Sequence, residues 1–81
     1  MIHKLNENFT QNDKRLITDM IDMYFEYQTP ASGQTRFNDE EYAKMKQRES
    51  SARKLYAQWG INTLGIDYAM NEIKESREEE E

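Results

Sequence analysis

The 81-residue chain has no cysteine, no valine, one proline and one histidine. Without cysteine there is no disulfide to staple a small domain and no thiolate to act as nucleophile or metal ligand. The missing valine leaves six isoleucines as the β-branched apolar residues, a composition that disfavours sheets. The three glycines, Gly33, Gly60 and Gly65, form no phosphate-cradling motif. The sole histidine, His3, stands in the opening stretch, away from any positioned partner, which argues against a Ser-His-Asp assembly. No apolar run approaches the ~18 residues of a membrane span. Residues 1–8 do not read as a signal peptide. These absences predict a cytoplasmic protein, not an enzyme, with no metal and no cofactor.

Charged residues make up 33% of the chain, and Glu, Lys, Gln, Met, Ala and Leu dominate its ordered-looking stretches, so the predicted fold class is all-α. Eighty-one residues allow one domain, and a lone core of that size is marginal without further support. Residues 1–9 read as a loose leader. Thr10 followed by Asp13 marks a helix start, and the spacing predicts a helix over 10–28 with Leu16, Ile17, Met20, Ile21, Tyr24 and Tyr27 on its buried face. Pro30 and Gly33 place a loop at 29–38. Asn38 with Glu41 three residues on is a capping box.

Beyond it, Tyr42, Met45, Glu49, Ala52, Tyr56, Trp59, Thr63, Ile66, Met70 and Ile73 follow alternating steps of three and four. That unbroken rhythm predicts one long helix over 39–77, with a possible kink or break at Gly60; three separate helices are the alternative. Residues 78–81 read as an acidic tail. A second stripe, Ile61, Leu64 and Tyr68, makes the segment apolar on two sides, and a 19-residue partner helix cannot cover it. The predicted architecture is therefore a helical hairpin of one shorter and one long helix, packed as a homo-oligomeric bundle, with close approach at Gly60 and Gly65.

Charge is unevenly spread. The formal net charge is -5, yet residues 44–54 carry a local excess of bases: Lys44, Lys46, Arg48, Arg53 and Lys54 against Glu49. The overall sign argues against nonspecific DNA binding. The basic segment is expected to flank the apolar seam, to hold a phosphate-bearing ligand through Arg48, Arg53 and Lys54 beside Tyr42 or Tyr56, or to pair between subunits with the acidic stripe of residues 19–26. Asp19, Asp22 and Glu26 line one face of the first helix and offer an acidic, phosphate-imitating surface. Phe25, Phe37, Trp59, Ile61, Leu64 and Tyr68 are the candidate contacts with a partner or a second copy.

In character the chain resembles small phage-encoded early proteins that bind and inhibit a host factor. More locally, Ala52-Arg53-Lys54-Leu55, Gly65-Ile66 and Ile73 are similar to the C-terminal helix of phage anti-CBASS proteins, helical oligomers that sequester cyclic nucleotides. That resemblance implies a phosphate contact at Arg53; the family's ligand-proximal threonine aligns with Gly60. The leading expectation is a non-enzymatic helical binding protein that occludes a surface of a host defence protein, a DNA mimic being one form of it. The alternatives are an oligomeric sponge for a cyclic nucleotide and a virion scaffold protein.

Overall fold

The computed structural model describes residues 8–33 and 37–79. The expectations for residues 1–7, and for the tail at 80–81, fall outside that range. Among the described residues there are three long helices, α1 (Gln11–Tyr27), α2 (Asp39–Trp59) and α3 (Leu64–Glu79), with a short 3-10 turn at Pro30–Ser32 between α1 and α2. Among the described residues there is no strand, and no helix is long and apolar enough to cross a membrane.

The helix starts form as their sequences dictate. Four orphan N–H groups open every helix, and a side-chain oxygen three residues back satisfies one of them. The Asp13 N–H donates to Thr10 Oγ1 and the Thr10 N–H to Asp13 Oδ2, both at 3.0 Å. The Asn38/Glu41 box repeats the arrangement at 2.8 and 3.0 Å, with Asp39, Glu40 and Glu41 in the first turn of α2, where the helix dipole favours anions. At the far end of α1 the Glu26 carbonyl accepts from the Thr29 N–H, Thr29 Oγ1 and Ser32 Oγ, so the chain turns away at Pro30 with that carbonyl satisfied.

Gly60 divides the expected 39–77 helix in two. It adopts the left-handed conformation (φ 67°, ψ 31°), which costs L-residues with a Cβ roughly 1–2 kcal/mol. Its N–H donates to the Ala57 carbonyl and the Ile61 N–H to the Tyr56 carbonyl, a Schellman motif in which Ile61 packs back toward the core. Asn62 Oδ1 then accepts from the Leu64 N–H to begin α3. The three-four rhythm survives because Trp59 and Ile66 are seven apart in either geometry. A four-residue reversal conceals itself in a pattern of that period.

The seam itself is the core. Met45, Ala52 and Tyr56 of α2 are buried with Ile66, Ala69, Met70 and Ile73 of α3, and Phe25 of α1 completes the cluster. Ile21, Phe37, Tyr42 and Ile61 pack against its edges. Two polar anchors tie α1 down. Tyr56 Oη lies 2.7 Å from both the Thr18 carbonyl oxygen and Asp22 Oδ1, and its one proton is shared between them. Thr18 is buried, and its own hydroxyl donates to the Arg15 carbonyl. At the opposite end Arg77 donates to the Phe37 carbonyl at 2.6 Å and to Asp39 at 2.7 Å, and its guanidinium lies 4.5 Å from the Tyr42 ring centre. This one side chain joins the end of α3 to the start of α2.

The phase of α1 differs from expectation. Thr18, Ile21 and Phe25 face inward, while Leu16, Met20, Met23 and Tyr27 face outward. Polar Thr18 makes the inward stripe the weaker one in a hydrophobicity count. Its hydroxyl is satisfied within its own helix, so it is buried at little cost. Gly65 also serves a different end from the close approach between copies expected of it. A Cβ there would lie 3.0 Å from Asp22 Cγ and Oδ1, so its lack of a side chain lets α3 approach α1 within one molecule.

Candidate functional site

Of the six residues expected at an interface, the structure leaves two fully on the surface. Phe25 is 1% exposed and Trp59 is buried: both belong to the interior, which corrects the docking role expected of them. Phe37 and Ile61 are half-buried at the core's rim. Leu64 and Tyr68 are 71% and 63% exposed, the most exposed of the large hydrophobics described. Being four apart, they sit one turn above the other on the outer side of α3.

Two acid-lined depressions border α3. Glu72 and Glu75 follow on the next turn of α3 and share a shallow depression with Pro30 and Ser76. Across the α1–α3 junction, an open groove is lined by Asp19, Asp22, Met23, Glu26 and Gly65. The expected acidic face is thus brought against α3 at Gly65, but its three members differ. Asp19 and Glu26 are exposed, whereas Asp22 is half-buried and bonded to Tyr56. Burial pushes the Tyr56 hydroxyl pKa well up, and the hydrogen bond to Asp22 with the charges of Asp22 and Asp19 reinforces the shift. Asp22 therefore acts first as an internal anchor.

The basic segment is largely engaged within the fold. Arg53 binds Glu49 through Nε and one terminal nitrogen, both at 2.8 Å, and reaches Asp67 of α3 at 2.7 Å with the other. Lys46 adds a 3.0 Å ion pair to Glu49. Burial alone would raise the Glu49 pKa. The hydrogen bonds and charges of Lys46 and Arg53 outweigh it, and the carboxyl is held below its ordinary value. For Arg53, burial works against the charge, and the bonds to Asp67 and Glu49 more than restore it, so its pKa is raised. The guanidinium expected to meet a phosphate is instead spent on two carboxylates, and it holds α3 against α2. Arg48 donates to the Tyr24 hydroxyl at 2.7 Å, and Lys54 is exposed.

Sequence reasoning missed a second surface as a surface. Leu16, Met20, Met23 and Tyr27 are between 50% and 61% exposed and recur at steps of four, three and four. At 100° per residue they cluster opposite the Thr18–Phe25 side of α1. The signal was legible as a heptad stripe; what could not be read was that two stripes compete for one core. Among the described residues no cluster of His, Cys, Asp or Glu is arranged to hold a metal ion. Set against known protein families, curated proteins and solved structures, the chain matches none of them.

Proposed function

We propose that this chain is a non-enzymatic helical binding protein that inhibits a host protein by occluding one of its surfaces, and that the outer side of α3 is the contact. The carrying observation is the exposed Leu64–Tyr68 pair, four residues apart on α3, with Glu72 and Glu75 further along the same helix. A large apolar pair in water is unfavourable unless something covers it, and tyrosine with its polar tip is a recurrent interface anchor. The acidic border selects for bases. The matching surface is therefore an apolar patch flanked by Lys or Arg, as on a protein that handles nucleic acid or anionic ligands.

The test is affinity capture from cells of the natural host, followed by reconstitution of the captured protein with pure wild type and single variants. Tyr68→Ala and Leu64→Glu are expected to abolish the complex with helicity unchanged by circular dichroism. Binding should also weaken steeply as salt is raised, because the acidic border is solvent-exposed. A complex that survives both substitutions would refute the assignment of this surface. A captured protein whose activity is unchanged when saturated would refute inhibition.

A further inference from the structure

We infer that the outward stripe of α1 binds a second copy of this chain, as a parallel pair of α1 helices about a two-fold axis running along them. The inference is independent of the α3 surface. Leu16, Met20, Met23 and Tyr27 keep the spacing of a two-stranded seam, with Leu16 and Met23 at one set of core positions and Met20 and Tyr27 at the other. All four are half or more exposed, although the same helix already buries its opposite side. Four large side chains in that state amount to on the order of 500 Å² per copy, so pairing would bury about 1,000 Å², the lower end of a specific interface. The seam runs over twelve residues, eleven helical steps or about 16 Å, which suits a pair that forms and separates with concentration.

Charge identifies the occupant and its direction. The two borders of the stripe differ in kind. On the α3 side stand Asp19 and Glu26, both exposed carboxylates. On the α2 side stands Tyr24, whose hydroxyl accepts from Arg48 at 2.7 Å, so that border carries a cation. In an antiparallel pair each border would meet its own kind, Asp19 and Glu26 against the same acids of the second copy. In a parallel pair the carboxylate border of each copy meets the Tyr24–Arg48 border of the other, Asp19 falling opposite the second copy's Tyr24 in the usual flanking register of such helices. Opposed charges across the seam favour the second arrangement and set its register. A surface whose two edges complement each other after a two-fold rotation fits its own copy.

The chain lacks cysteine, so single-cysteine variants report the geometry cleanly. Sedimentation velocity over a range up to millimolar protein should show wild type moving from its 9.7 kDa monomer to twice that mass. Met20→Glu should weaken pairing at least ~tenfold, since it removes a buried methionine from each copy and places two carboxylates together. Leu64→Glu, on the α3 surface, should leave it unchanged. Under mild oxidation Leu16→Cys should give a covalent dimer, because in a parallel pair residue 16 meets its counterpart. In an antiparallel pair the two would stand at opposite ends of the seam. Asp19→Lys should weaken pairing, and adding Arg48→Asp to it should restore a large part. A monomer at every concentration would overturn the inference. So would a dimer insensitive to Met20→Glu, or one in which Leu16→Cys never cross-links.

Discussion

Gly65→Ala sets two effects of similar size against each other, and the structure says which prevails. In a helix, alanine is favoured over glycine by roughly 0.5–1 kcal/mol, so on propensity alone the substitution stabilises. The added Cβ, however, would stand 3.0 Å from Asp22 Cγ and Oδ1 and 3.3 Å from Oδ2, tighter than ordinary van der Waals contact. A free surface carboxylate would swing aside. Asp22 is not free, because its Oδ1 lies 2.7 Å from the Tyr56 hydroxyl, and turning it away sacrifices a hydrogen bond to a charged group worth about 1.5–3 kcal/mol. The net expectation is a loss of about 1–2 kcal/mol, or a fall in Tm of order 4–15 °C for a domain this small. The Tyr56→Phe background isolates the cause. With no hydroxyl holding it, Asp22 can move, and the same glycine-to-alanine change should then stabilise by up to ~1 kcal/mol. Urea denaturation followed by circular dichroism on the four proteins of this cycle measures the sign reversal. If Gly65→Ala stabilises in both backgrounds, Asp22 yields without loss and the anchoring role given to the Tyr56–Asp22 bond is wrong.

Other consequences are open to the same measurement. Arg77→Met keeps the apolar stem but removes the bonds to the Phe37 carbonyl and Asp39, and should destabilise by about 1–2 kcal/mol with helix content preserved in the folded state. Glu49 has its pKa lowered in the fold, so the stability it contributes is complete above its ordinary value of 4.5 and is lost as pH falls through the lower folded value; Glu49→Gln should flatten that acid limb. Tyr56 has its pKa raised, so its contribution is complete below the ordinary value of 10.0 and declines as pH rises beyond it; Tyr56→Phe should remove that share of the alkaline loss.

What could be read in advance follows from how local each signal is. Both capping boxes were legible, since Thr10/Asp13 and Asn38/Glu41 need only each other. The seam from Tyr42 to Ile73 was legible too: Met45, Glu49, Ala52, Tyr56, Trp59, Ile66, Met70 and Ile73 are buried, and its other two members, Tyr42 and Thr63, are half-buried. Even Glu49 fits, because Lys46 and Arg53 neutralise it there. Continuity through Gly60 was not, because a reversal of four residues left the periodicity intact. The orientation of α1 was not, because Leu16–Met20–Met23–Tyr27 and Thr18–Ile21–Phe25 are both coherent stripes, and only the docking of Tyr56 on Thr18 and Asp22 decides between them. The candidate site divides in the same way. Leu64 and Tyr68 are exposed, Phe25 went inside once α1 turned over, and Trp59 is buried with the seam to which it also belonged. Arg53 found its partners in Glu49 and Asp67, the latter on a helix whose approach to α2 depends on the turn at Gly60.

The position of Trp59 has a practical consequence. It is the only tryptophan in the chain, at the last residue of α2, immediately before the reversal. The Phe9 ring meets it edge-on at 5.9 Å from one side, and the Lys14 ammonium stands 5.9 Å from its ring centre. Its emission is therefore a built-in optical gauge of whether the segment before α1, the first turn of α1 and the end of α2 have come together. Far-ultraviolet dichroism reports helix wherever it forms, whereas the indole responds to the packing around residue 59. Two traces that coincide through a denaturant titration would show that the reversal closes together with the rest of the domain. An earlier change in the fluorescence would show this corner opening while the helices persist.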